Sequence, residues 1–385
     1  MTHRERVLAI LHYQPYDRMP VLHFGFWDDT LDKWAAEGHI TAEEAAKWGD
    51  GNPSDMAISK KLGFDFNYYC CFHPNTGLKP EFEREVIEEL PDGGKKVRNA
   101  WGVIELERPG ATSIPAEIDH LLKTRDDWET HYKHRFAFDA ERVTAAKVLV
   151  NGKMVAWTEG GLEFLQRNER EYFYGLHCGS LFGQIRNILG VTGASYLFAE
   201  DDALFTEIID TRAELSYQAV KMVLESGARF DFAHFWEDIC FKNGPLIIPS
   251  VFDEKVGPHY KRITELVNSH GIDIVSLDCD GCIDALTPTW FNNGVNTMFP
   301  IEVGTWNASL APWREQYGKE LRGVGGMNKV VFAHDRAAID TEVERLKPLV
   351  ELGGYIPCPD HRIAPDAEWD NVRYYCDRMR EEFGQ

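Results

Sequence analysis

The sequence predicts a single α/β domain over residues 1–385, a distorted (β/α)8 barrel of the TIM type with an inserted β-hairpin near residues 81–108. Three observations lead there. Strand-like runs centred near residues 22, 67, 175, 231, 274, 297, 324 and 356 alternate with helical stretches, which implies a mostly parallel sheet. Eight such units suit a closed barrel better than an open doubly wound sheet. No G-x-G-x-x-G follows the first strand and no G-x-x-x-x-G-K-[ST] occurs, which counts against the standard nucleotide folds.

Taken in order, residues 3–12 read as a short helix with Val7, Leu8 and Leu11 on one face. Pro15 and Pro20 bracket a turn before the buried strand Val21–Phe26. Residues 31–48 are helical, and the aromatic run Phe64–Cys71 suits a second strand. Pro91-Asp92-Gly93-Gly94 stands between strand-like Glu83–Glu88 and Val97–Leu106, a hairpin signal outside the main sheet. A helix is expected at 138–150, a strand at Tyr172–Cys178 and a helix from Ser180. Leu204, Ile208, Leu215, Val220 and Leu224 repeat at helical spacing through 201–226. The strands Ala228–Phe235, Ile272–Leu277, Val295–Pro300, Leu321–Met327 and Gly354–Pro357 follow, separated by helices at 249–269, 284–293, 308–319 and 337–352. A last helix fills 367–382.

Composition excludes several classes of function. Hydrophobic residues make up 44% and charged residues 27%, as in a folded globular chain. The net charge of −21 repels phosphate backbones and anionic membranes, so neither nucleic acid nor membrane is an expected partner. Charges appear at once in Met1–Arg6 and no long apolar run follows. Eight cysteines lack the spacing of a disulfide scaffold. The expectation is a cytoplasmic protein with reduced thiols.

In a β/α barrel the chemistry sits at the C-terminal ends of the strands. The fourth strand ends in His234-Phe235-Trp236-Glu237-Asp238, the fifth in Asp278-Cys279-Asp280-Gly281-Cys282, and the sixth in Pro300-Ile301-Glu302. The third ends near His177-Cys178-Gly179-Ser180 and the eighth in Cys358-Pro359-Asp360-His361. Asp278 and Asp280 share a face at a spacing of two, where paired carboxylates hold a divalent cation or act as acid and base. An Asp-Gly loop turn explains the same residues without function. Cys279 points the other way, and without a second C-x-x-C the Cys279–Cys282 pair reads as ordinary cysteines. His361, held between Pro359 and Pro365, is a candidate ligand or proton carrier.

The chain resembles the uroporphyrinogen decarboxylase superfamily. The resemblance rests on Thr2–Ala9 with Asp17-Arg18-Met19-Pro20-Val21, on Leu277-Asp278-Cys279-Asp280-Gly281, and on Gly353–Pro357 with Asp360-His361 and Pro365-Asp366. It covers nearly the whole chain and implies a distorted β/α barrel. The decarboxylase proper carries an arginine-rich P-x-W-x-M-R-Q-A-G-R segment; here Pro20–Trp27 has no arginine. The methyltransferase branch binds zinc through H-x-C-G and a later Cys. Asp278-Cys279-Asp280-Gly281 and His361 occupy those places with changed ligand types.

The resemblance therefore implies a methyltransferase moving a methyl group between a small methylated ether or amine and a corrinoid protein. Its expected metal is a divalent ion, zinc, held by Asp278, Asp280, His361 and Glu237, with Glu237 and Asp280 as catalytic residues. Candidate substrate contacts are His23, His177, Trp236 and Glu302. The chain shows no D-x-H-x-x-G segment, so the corrinoid is expected on a separate partner protein, with a homodimer as the candidate assembly. A decarboxylase acting on a smaller acid is the alternative.

Overall fold

The computed structural model describes residues 1–108 and 115–384. Seven strands form one parallel sheet in the spatial order Tyr355–Pro359, Arg322–Met327, Thr297–Phe299, Val275–Asp278, Phe232–Trp236, Gly175–His177 and Cys71–Phe72. Leu22–His23 pairs in parallel with Phe66–Asn67, just upstream of Cys71–Phe72. At the opposite edge Phe26 bridges in parallel to Ile363. There the Trp27 N–H donates to the Ile363 carbonyl at 3.2 Å and the Ile363 N–H to the Gly25 carbonyl at 3.0 Å. Both edges of the sheet thus reach the segment Leu22–Trp27.

Alternation along each strand divides the side chains between two cores. Leu22, Phe24, Tyr68, Phe173, Phe232, Ile274, Phe299, Val324 and Ile356 pack on one face in a single buried cluster. Their neighbours Phe235, Leu277 and Met298 face the helices, within the larger cluster. Each fully buried apolar side chain contributes roughly 1.5–3 kcal/mol, so shifting one strand by a residue would be expensive. The helix Asp202–Glu225 presents Leu204, Ile208, Leu215, Val220 and Leu224, all buried, as their spacing predicts. Its N-terminus is capped by Asp201, whose carboxylate accepts from the Leu204 N–H at 2.9 Å.

Among the expectations that need correction, the helix at 31–48 is two, Asp28–Ala36 and Ala42–Ala46. The inserted hairpin is a four-stranded antiparallel sheet of Glu85–Glu89, Lys95–Arg98, Val103–Glu107 and Ala116–His120. Asn99 makes its second turn, accepting from the Trp101 and Val103 N–H groups at 2.9 and 3.1 Å. Within 138–150 only Glu141–Thr144 is α-helical; Lys147–Val150 pairs antiparallel with Lys153–Ala156. The turn is Asn151-Gly152, with φ of +48° and +77°, and positive φ at both central residues is what a tight two-residue hairpin needs. The stretch 249–269 holds two helices, Pro249–Lys255 and Gly257–Ser269, the second starting with Pro258 in its first turn.

Candidate functional site

The strand Val275–Asp278 turns Asp278 inward and Cys279 outward, where Sγ accepts from the Ile239 N–H at 3.4 Å. Gly281 lies at φ +86°, and a Cβ there would stand 2.5 Å from the Cys240 carbonyl oxygen. Only glycine allows the chain to turn so close to the loop after Trp236. That turn brings Asp280 against His361, with Asp280 Oδ2 at 2.9 Å from Nε2. The Gly281 N–H donates to Glu302, whose other oxygen accepts from the Thr305 hydroxyl at 2.9 Å. Asp238, at φ +55°, lies close enough to Asp280 for the two charges to act on each other. Arg186 donates to its carbonyl at 2.7 Å.

Asp238, Asp278 and Glu302 therefore gather around the Asp280–His361 pair. Burial pushes the Asp278 carboxyl well up, and the charges of Asp280 and Asp238 push it further. Burial and then Asp280 raise Asp238 to about 6, against the opposing pull of Arg186 and His361. Glu302 is raised by the same two causes. Lys329 stands nearby with its ammonium disfavoured by burial, which Asp360, Asp280 and Glu302 oppose. One wall is aromatic. Trp27 stacks on His361 at 5.4 Å between ring centres, and Phe24 meets it edge-on at 5.7 Å. Arg362 lies over Phe24 and Trp48 and is held by two hydrogen bonds to Asp50, at 3.1 and 2.6 Å.

Across the strand ends, Tyr69, His73, His177 and His234 form a second wall. The His73 and His177 rings are 4.5 Å apart, and Tyr69 meets His234 edge-on at 4.9 Å. The His177 Nδ1 accepts from the Gly179 N–H at 3.1 Å, and its Nε2 lies 3.3 Å from the Tyr69 hydroxyl.

Of the residues singled out in the sequence, the structure brings together Asp278, Asp280, Glu302 and His361. Trp236, half-buried, is the register partner of Asp278. Two are placed elsewhere. Glu237 is fully buried and accepts from the N–H groups of Leu181, Phe182 and Gly183 and from the hydroxyls of Ser180 and Tyr260. Both its oxygens are occupied at the start of the helix Gly183–Glu200, so it is neither a ligand nor a proton carrier here. His23 is fully buried on the helix side, bonded to the Ser59 hydroxyl at 2.7 Å and to the Gly25 N–H at 2.9 Å. Alternation gives the inward place to its neighbour Phe24. His177 has both ring nitrogens engaged, so it reaches a substrate only through Tyr69.

Sequence reasoning missed Asp238, Tyr69 and Phe24. Asp238 was visible as half of the Glu237-Asp238 pair, and strand parity turns Glu237 outward.

The side chains do not form the shell expected for zinc. Glu237 is spent on backbone groups, and the His361 Nε2 is bonded to Asp280 itself. Among the described residues no group of three His, Cys, Asp or Glu side chains is arranged to hold a metal ion.

No family model matches the sequence. No curated protein matches it either. Among solved structures, a methyltransferase from Methanosarcina mazei superposes with a TM-score of 0.60 at 17% identity, covering 99% of both chains. A protein described as a vitamin-B12-independent methionine synthase from Listeria monocytogenes gives a TM-score of 0.41 at 13% identity, covering 96% of this chain and 99% of that one. The first of these likenesses is one of fold: a mixed α/β architecture around a large parallel sheet, shared over the whole chain.

Proposed function

We propose that this chain is an enzyme that transfers a methyl group from a small methylated ether or amine to a corrinoid carried by a separate protein. The observation that carries the reading is the gathering of Asp238, Asp278 and Glu302 around the Asp280–His361 pair, beside Trp27 and Phe24, at the C-terminal ends of parallel strands. We read the strands as a distorted (β/α)8 barrel closed through the Phe26–Ile363 bridge, which makes this its catalytic end. The shared fold with a methyltransferase is consistent with this.

In the proposed step, cobalt(I) of the partner attacks the methyl carbon. The carbon–heteroatom bond breaks, its electron pair stays on the heteroatom, and a proton from this site neutralises that atom. The products are methylcobalt(III) and the protonated leaving group. Carboxylates this close cannot all be ionised, so one holds a proton near neutral pH and serves as general acid. Asp278 is assigned that role, since burial and then the charges of Asp280 and Asp238 hold its carboxyl well above the usual carboxylate range. The Asp280–His361 pair holds the neighbouring charge in place.

The aromatic wall suits a flat or cationic methylated group. A decarboxylase substrate would need free cations; Arg362 is committed to Asp50, Arg186 lies beside Asp238, and burial disfavours the charge of Lys329. No step is assigned to a metal in this chain. Among the described residues no helix is long and apolar enough to cross a membrane, and all eight cysteines are free. We place the protein in the cytoplasm.

The test is incubation of the purified chain with cob(I)alamin and either guaiacol or trimethylamine. Formation of methylcob(III)alamin supports the reading. Carbon dioxide release from a small carboxylic acid, with no methyl transfer, would replace it with the decarboxylase alternative.

A further inference from the structure

Tyr69 sits where the second strand breaks. Its N–H donates to the Asn67 side chain at 2.9 Å, between the short strands Phe66–Asn67 and Cys71–Phe72. This turn lets consecutive Tyr68 and Tyr69 both pack on the inner cluster, which strict alternation would forbid. Tyr69 is packed into the second wall, with His234 and His73 against its ring at 4.9 and 5.8 Å, and the Asp278 charge acts on its hydroxyl.

The hydrogen bonds around His177 have one consistent direction. The Gly179 N–H points at Nδ1, so that nitrogen is an acceptor. A neutral imidazole accepting at Nδ1 carries its proton on Nε2. The ring is neutral because burial, reinforced by His73, His234 and Arg212, pulls its pKa well below the usual histidine value. Nε2–H therefore donates to the Tyr69 oxygen. The phenolic hydrogen of Tyr69 is then left over, and among the described residues it has no acceptor of its own.

We infer that Tyr69 donates this hydrogen bond to the heteroatom that loses the methyl group, and that His177 holds the hydroxyl in that orientation. The inference rests on the methyl-transfer reading and adds a residue to it. Tyr69 keeps its proton throughout, because burial and Asp278 hold the phenol well above its ordinary range. It stabilises the electron pair arriving on the heteroatom, while the transferred proton comes from the carboxylates. Tyr69 thus touches the reacting atom, and His177 is a positioning residue.

Two measurements test it. Long-range 1H–15N NMR of the imidazole nitrogens, assigned by loss of signals in His177→Gln, is expected to show protonated Nε2 and bare Nδ1 at neutral pH. A proton on Nδ1, or a doubly protonated ring, would overturn the inference. Tyr69→Phe keeps the ring packing and is expected to lower kcat with guaiacol and cob(I)alamin by about 10²–10³-fold, the usual cost of one preorganised donor, with KM changed by less than about threefold. Wild-type kcat in Tyr69→Phe would overturn the inference and leave the methyl-transfer reading standing. A wild-type chain that demethylates neither guaiacol nor trimethylamine would remove both, and the NMR result would still report the His177 tautomer.

Discussion

His361 Nε2 and Asp280 Oδ2 lie 2.9 Å apart, fastening the segment after the last strand to the segment after Val275–Asp278. The contact joins two stretches of chain that meet only at the ends of the parallel strands. Burial, and after it the Asp280 charge, raises Asp278, Asp238 and Glu302. Asp280→Ala is therefore expected to lower methyl transfer by about 10²–10⁴-fold, the range for loss of acid–base machinery. With one charge removed, the remaining carboxyls ionise more readily, and the alkaline limb of any residual pH–rate profile, where the general acid loses its proton, moves to lower pH. An unchanged profile measured in the variant would argue against coupling.

The same electrostatics set a stability signature at Asp238. An acid whose folded pKa exceeds its unfolded value binds a proton more tightly when folded. That gain is complete below the unfolded value, near 4 for Asp, and is lost as pH rises through about 6. Wild type is expected to lose stability relative to Asp238→Asn as pH rises through this window. His23 and His234, each held near 3, act in the opposite direction but equally in both proteins. Denaturant melts at several pH values check this; a difference between the proteins that does not vary with pH would count against the raised carboxyl.

Glu237 is predicted to matter for folding and not for chemistry. Its carboxylate satisfies three backbone N–H groups and two hydroxyls inside the wall. Glu237→Gln places an amide N–H against donors and is expected to cost about 2–3 kcal/mol in urea unfolding. Turnover per folded molecule should stay within about threefold of wild type. Normal stability with lost activity would restore Glu237 to the active site.

Much of the architecture was legible because burial imposes a period. The 204–224 helix and the strands near 231, 274, 324 and 356 follow directly from apolar spacing. Local turn chemistry carried what periodicity did not: Asn151-Gly152 marks a hairpin that an apolar run disguised as helix. The Asp278–Asp280 pair was legible from spacing alone, whereas its contact with His361 is tertiary. His23 and Glu237 were misplaced because a strand end shows which residues are polar but not which face each takes. Tyr69 was hidden because a break between two short strands suspends alternation there.

Metal dependence separates this account from one built on zinc. On the proposed reading the side chains around Asp280 move protons and hold no metal; His361 is bonded to Asp280, and no group of three ligating side chains is found among the described residues. Extended dialysis against a chelator is expected to leave turnover unchanged. Loss of activity that added zinc restores would require the loops after Asp278 and Pro359 to rearrange around an ion.

The most direct measurement is the absorbance change from cob(I)alamin to methylcob(III)alamin when the purified wild-type chain is supplied with guaiacol or trimethylamine, run beside Asp280→Ala. The account predicts enzyme-dependent methylcob(III)alamin formation with at least one donor, reduced about 10²-fold or more in Asp280→Ala. No methyl transfer above the enzyme-free rate from wild type, or equal rates from wild type and Asp280→Ala, would contradict it.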